Sequence, residues 1–101
     1  MIIYNITTQV SWEIDNKWKH WVVEKHIPEI LQTGSFTHYQ VVKLLEADDT
    51  DGPTYAIQLY AKNLDEFNRY RNNHLHIIEK KVKDIWQNNS FSFSSLMEVI
   101  N

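Results

Sequence analysis

Two histidines, His26 and His74, are the side chains best suited to chemistry near neutral pH, because imidazole titrates there and both lie in helical patterns. His26 stands two residues before Pro28, where a helix is expected to end or kink. A protonated ring there would cap terminal carbonyls and be favoured by the helix dipole. Its functional counterpart is a general base or ligand donor at the mouth of a pocket between helices and sheet. His74 falls on an apolar stripe with Phe67 and Ile78, which suits either a hydrogen-bonded core histidine or a base. Trp12, Trp18, Trp21 and Trp86 could stack on a planar ligand, although Trp18 and Trp21 could equally pack a helix onto a sheet. Tyr4 is placed to position a substrate. Gln58 and Asn5, polar on strands expected to be central, could orient a ligand or hydrogen-bond each other. The candidate ligand-binding set is therefore Tyr4, Trp21, His26, Gln58 and His74, with His26 and His74 the candidate catalytic groups.

Other chemistries fare worse. His74 and His76 are two apart and point about 200° from each other around a helix, so they cannot share one ion. His20 and Glu24 are four apart and could, but they lack a third ligand. No metal site is expected, and no cofactor. Asp48 to Gly52 invites a calcium reading, yet aligning Gly52 with the loop glycine puts Ala47 and Gln58 where carboxylates are required. A solvated turn is expected instead. The sequence has no cysteine, so a disulfide framework, a thiolate site and a cysteine nucleophile are all excluded. There is no Gly-rich phosphate loop, no serine elbow and no paired-carboxylate signature. The formal charge is −3 and the one lysine cluster, Lys80-Lys81-Val82-Lys83, is bracketed by Glu79 and Asp84, so nucleic-acid binding is not expected. The first residues lack the charged start of a signal peptide and no apolar run is long enough to span a membrane. A cytoplasmic protein without a membrane partner is expected.

The chain's 101 residues suit one domain over residues 1–101, and its few glycines and prolines argue against a loop-rich sandwich. Ile2 to Val10 alternates as a first strand, and Ser11 is positioned to cap the helix after it. Ile14, Trp18, Trp21 and Val22 then fall at helical spacing up to the Pro28 break, with a further turn ended by Gly34. Phe36 to Ala47 and Thr54 to Ala61 read as strands joined by a hairpin over the Asp48–Pro53 turn. Asn63-Leu64-Asp65-Glu66 fits a capping box opening one long second helix through Ile78 and Val82 to Trp86. Phe91 to Ile100 is a last strand. The order βαββαβ predicts an α+β, ferredoxin-like fold: a four-stranded antiparallel sheet with both helices on one face. Apolar residues at both parities of several strands would leave an open apolar face, which a symmetric homodimer would hide.

Several segments together resemble a known family. MIIYNIT, the Trp18-x-x-Trp21 pair, His26-Ile27-Pro28, Thr33-Gly34-Ser35-Phe36 and TYAIQLY look like a family of short bacterial proteins known only as a domain of unknown function. That family is similar in turn to the dimeric α/β-barrel superfamily of EthD-like and antibiotic-biosynthesis-monooxygenase-like proteins. Phe67-x-x-Tyr70-x-x-x-His74 looks like the superfamily's F-x-x-Y-x-x-x-H helix. In many EthD-like sequences a proline closely follows that histidine; here the residues are His74-Leu75-His76. The resemblance covers nearly the whole chain and implies a dimeric α/β barrel, on a scaffold that hosts enzymes, ligand binders and stress proteins alike. The function expected is small-ligand binding or an interaction module. The alternative is a cofactor-independent oxygenase or isomerase acting on a small aromatic or polyketide-like substrate, with His26 or His74 as base and Gln58 or Tyr4 positioning it.

Overall fold

A computed structural model describes residues 1–101. Strand β1 (Ile2–Val10) lies inside a four-stranded antiparallel sheet of order β2-β3-β1-β4, with β2 at His38–Lys43, β3 at Thr54–Ala61 and β4 at Ser90–Glu98. Together with helices on one face this is a ferredoxin-like α+β fold. Alternation decides which residues meet the helices. Ile2, Tyr4, Ile6, Thr8 and Val10 face inward, opposite Ala61, Leu59, Ile57 and Tyr55 of β3. With Trp18, Val22, Ile30, Phe67 and Tyr70 from the helices they form the buried core. The other parity forms four rows across the open face: Met97-Ile3-Tyr60-His38, Ser95-Asn5-Gln58-Gln40, Phe93-Thr7-Ala56-Val42, and Phe91-Gln9-Thr54.

Of the two outcomes expected near His26, an end or a kink, the helix does not end; its regular α-geometry is interrupted there instead. Helix α1 (Asp15–Trp21) runs into a π-turn at Val22–His26 and continues as α2 (Ile27–Leu31). The Ile27 amide bonds the Val22 carbonyl five residues back, and Ile27 keeps helical angles of φ −61 and ψ −48. The wider turn makes room for the Pro28 ring, whose missing amide falls in the first turn of α2, where no donor is needed. Ser11 does not cap it; its hydroxyl faces Asn89 Oδ1 at 3.2 Å. Gly34, at φ +80, ends the segment as anticipated.

The second helical segment is two helices rather than one. Asn63 accepts the Glu66 amide at 2.9 Å and starts α3 (Leu64–Asn73), but the Glu66 carboxylate pairs with Arg69 instead of closing the box. The chain breaks at His74, with φ −130 and ψ −32, before α4 (Leu75–Trp86). Asn72 and Asn73 are weak helix formers, and the Asn73 amide side chain takes the Arg69 carbonyl at 2.9 Å, competing with the backbone ladder. Strand β2 is shorter than Phe36–Ala47: Phe36 is buried ahead of it, and residues 44–53 form the turn. Strand β4 begins one residue before Phe91 and ends at Glu98.

Candidate functional site

The helices cover β1 and β3, while the inward residues of β4 opposite Val10, Thr8 and Ile6 are Ser90, Ser92 and Ser94. Serine is too short to reach the helix layer. A cavity of about 610 Å³ therefore opens between β4 and α4, roofed by Ile78 and Val82, with Tyr4, Ile6 and Thr8 of β1 below. That volume lies within the range of small-molecule pockets. Thr8 Oγ1 and Ser92 Oγ share a hydrogen bond of 2.7 Å, which sets the hydroxyl wall against β1. Glu79, Lys83, Gln87 and Asn88 stand at the α4 end.

The π-turn brings His26 to this cavity. Its ring is buried and stacks on Trp21 with centroids 4.4 Å apart and planes 18° from parallel. Trp21 in turn meets Trp86 edge-on at 5.5 Å. Burial in this aromatic setting lowers the His26 pKa to about 4, outweighing the opposite pull of the Glu29 carboxylate. His26 is thus neutral at pH 7 and makes no capping hydrogen bond, contrary to a charged cap. Tyr70 and Tyr4 also border the cavity. Burial raises the pKa of both, so both phenols keep their protons. The wall made by Tyr4, Tyr70, Trp21, His26 and the serines is aromatic and supplied with hydroxyl and imidazole groups, with Glu79 and Lys83 the charged lining residues, one of each sign, on α4; that wall is fitted to a neutral planar molecule that can hydrogen-bond.

Tyr4, Trp21 and His26 come together here, and two other candidates do not. Gln58 points to the opposite sheet face, across from Asn5, whose amide instead donates to Thr7 Oγ1 at 3.1 Å. His74 sits at the α3–α4 break, stacked on the far side of Tyr70 at 6.2 Å. It borders a shallow depression with Glu29 and Lys81, outside the main cavity. Of the other tryptophans, Trp18 stacks on Tyr55 at 5.1 Å within the core, and Trp12 is exposed, its indole bonded to the Asp49 carbonyl at 3.0 Å. No three His, Asp or Glu side chains converge closely enough to hold an ion. Lining residues outside the candidate set are Ser90, Ser92, Ser94 and Tyr70, the last placed by the sequence only on the second helix's pattern. The clue to the serines was the alternation S-F-S-F-S-S, whose small parity marks a wall that does not reach its neighbour.

The fold is shared by many solved structures. An EthD-family protein from Bacillus halodurans superposes with a TM-score of 0.71 at 10% identity, covering 99% of this chain and 100% of that one. An antibiotic-biosynthesis-monooxygenase-like protein from Deinococcus radiodurans gives 0.71 at 16% identity, over 100% and 94%. A dimeric ferredoxin-like protein from an uncultured marine organism gives 0.62 at 12% identity, over 99% and 96%. At these identities the likeness concerns the fold alone. No curated protein matches the sequence. A match over residues 1–100 to the domain of unknown function DUF4286 does extend to sequence, and it takes in β1, the π-turn with His26, and the serine strand together. The chain therefore belongs to the DUF4286 family.

Proposed function

We propose that this protein binds a neutral, largely planar aromatic small molecule in the cavity between α4 and β4, and does so as a homodimer. The observation that carries the binding reading is the cavity of about 610 Å³ itself, in which neutral His26, stacked on Trp21, faces a wall of serine hydroxyls. A titration with 2-acetylnaphthalene, followed through tryptophan fluorescence, is expected to show saturable quenching of the tryptophans that line the cavity, Trp18 and Trp21. A flat titration up to the solubility limit would remove the reading.

The dimer reading rests on the open sheet face. None of its four rows contains Asp, Glu, Lys or Arg, although 23% of the chain is charged. Its central amides, Asn5, Gln58 and Gln40, donate and accept equally, so the face is self-complementary and suits an isologous partner. The similar fold of a protein described as dimeric points the same way. Val42 is half-buried on the edge strand β2, at the end of its row, and Val42→Lys would carry an unpaired charge from each protomer into such an interface. Sedimentation equilibrium is expected to show a wild-type dimer and a Val42→Lys dimer weakened at least about a hundredfold. A wild-type monomer at all concentrations would contradict it.

A second reading is the cofactor-independent oxygenase or isomerase, with His26 taking a proton from the substrate. The presence of His26 in the cavity favours it, and its pKa of about 4 opposes it. A base so far below the working pH is roughly a few hundredfold weaker than free imidazole. Ligand-dependent oxygen uptake or isomer formation that disappears in His26→Phe would move the account to that reading.

A further inference from the structure

Buried hydroxyls nearly always find partners within the fold. Tyr55 follows the rule: its phenol donates to Asp15 Oδ1 at 2.5 Å. Tyr4 and Tyr70 do not. Their residues are 5% and 1% exposed, and their rings are neighbours, with centroids 6.3 Å apart and planes tilted by 53°. Neither donates to a carboxylate or a backbone carbonyl. The Ser94 hydroxyl of the cavity wall is near Tyr4 and partly offsets the rise that burial gives its pKa. Tyr70 makes no side-chain hydrogen bond, and its residue, like Tyr4, lines the cavity.

From this pairing we infer that Tyr4 and Tyr70 form a two-donor site for the carbonyl oxygen of an aromatic ketone or quinone. The inference rests on the binding reading above and specifies its ligand class. Two phenol protons with no acceptor in the protein are complementary to an sp² oxygen, which has two lone pairs to receive them. The aromatic body of such a ligand would then lie toward Trp21 and His26, where the cavity is flat-walled. Ligands lacking the carbonyl would leave both donors unpaired and bind less tightly.

The test uses the full chain and two probes of matched shape, 2-acetylnaphthalene and 2-ethylnaphthalene. Tyr4→Phe and Tyr70→Phe keep each ring in place and remove only a hydroxyl without an acceptor, so both variants are expected to melt as the wild type does. Each should weaken 2-acetylnaphthalene roughly three- to tenfold, whereas 2-ethylnaphthalene, no longer facing an unpaired hydroxyl, should bind no more weakly than before. Independently of any variant, the infrared carbonyl stretch of the ketone bound to wild-type protein should lie below its value in hexane. It should move back upward in each variant. If both probes bind all three proteins alike, with the stretch at its hexane value, the donor pair is wrong while the cavity reading stands. If only one variant matters, a single donor replaces the pair and the inference fails. If neither probe binds wild-type protein, both readings fail.

Discussion

Gly52→Ala is expected to lower the melting temperature by at least about 12 °C, corresponding to a loss of at least about 3 kcal/mol. The reason is steric. A Cβ at Gly52 would sit 1.7 Å from the Val10 carbonyl oxygen and 2.7 Å from its carbon, both backbone atoms that side-chain rotation cannot relieve. Gly52 also holds φ +153, a conformation that L side chains rarely adopt. The neighbourhood is tightly tied. The Val10 amide donates to the Pro53 carbonyl at 3.1 Å, and Gln9 Nε2 reaches the carbonyls of Asp48 and Gly52 at 3.3 and 3.2 Å. Relief therefore means detaching the β2–β3 turn from the end of β1. Gly34 supplies the comparison, since its added Cβ would meet only the Arg69 guanidinium at an ordinary 3.6 Å. Gly34→Ala should cost only about 1 kcal/mol, from its positive φ. Equal thermal shifts in the two variants would refute this account of the turn.

Acid is expected to destabilise the protein through His26 by about 3 kcal/mol between pH 7 and pH 4. In the unfolded chain the imidazole charges as pH falls through about 6.5; in the fold it stays neutral down to about 4. Between those values the unfolded state binds more protons, so stability falls as pH falls. Above the window the ring is neutral in both states and contributes no pH dependence. Below it the loss levels off. Urea unfolding of the wild type and of His26→Phe, which preserves a flat ring against Trp21, isolates this contribution because the carboxylates are common to both. The variant should lose about 3 kcal/mol less over that interval. Parallel pH profiles would show that the imidazole is solvated rather than enclosed by Trp21.

How much of the fold was legible in the sequence depends on how local each signal is. Ile2–Val10 and Thr54–Ala61 carry period-two alternation with β-branched residues, and both strands occur where that pattern places them. The Asn63 cap and the Gly34 terminus depend only on adjacent backbone, and both were readable. The breaks were not. Pro28 does oppose a regular α-helix, but the choice between ending the helix and widening one turn depends on whether Ile27 and Ile30, both buried here, have a core to enter. At His74 an unbroken apolar stripe concealed the competition from the Asn73 side chain. Among the candidate site residues, Tyr4 and His26 met because the inward parity of β1 and the π-turn converge on one cavity. Gln58 fell on the other face because its register opposite Asn5 puts it with the outward parity. A pocket between helices and sheet was anticipated, but its place against β4 was not, because it comes from short serines on a strand, a deficit of volume that the large phenylalanines beside them mask in any count of apolar residues.

The central claim, that the space between α4 and β4 is a binding site for planar aromatic molecules, is tested most directly by amide chemical-shift mapping. Nitrogen-15-labelled protein would be titrated with 2-acetylnaphthalene. Saturable shifts are expected at Tyr4, Thr8, His26, Ser92 and Val82, with Gln40, Val42 and Gln58 unmoved. Shifts confined to the open sheet face, or none at any site, would contradict it.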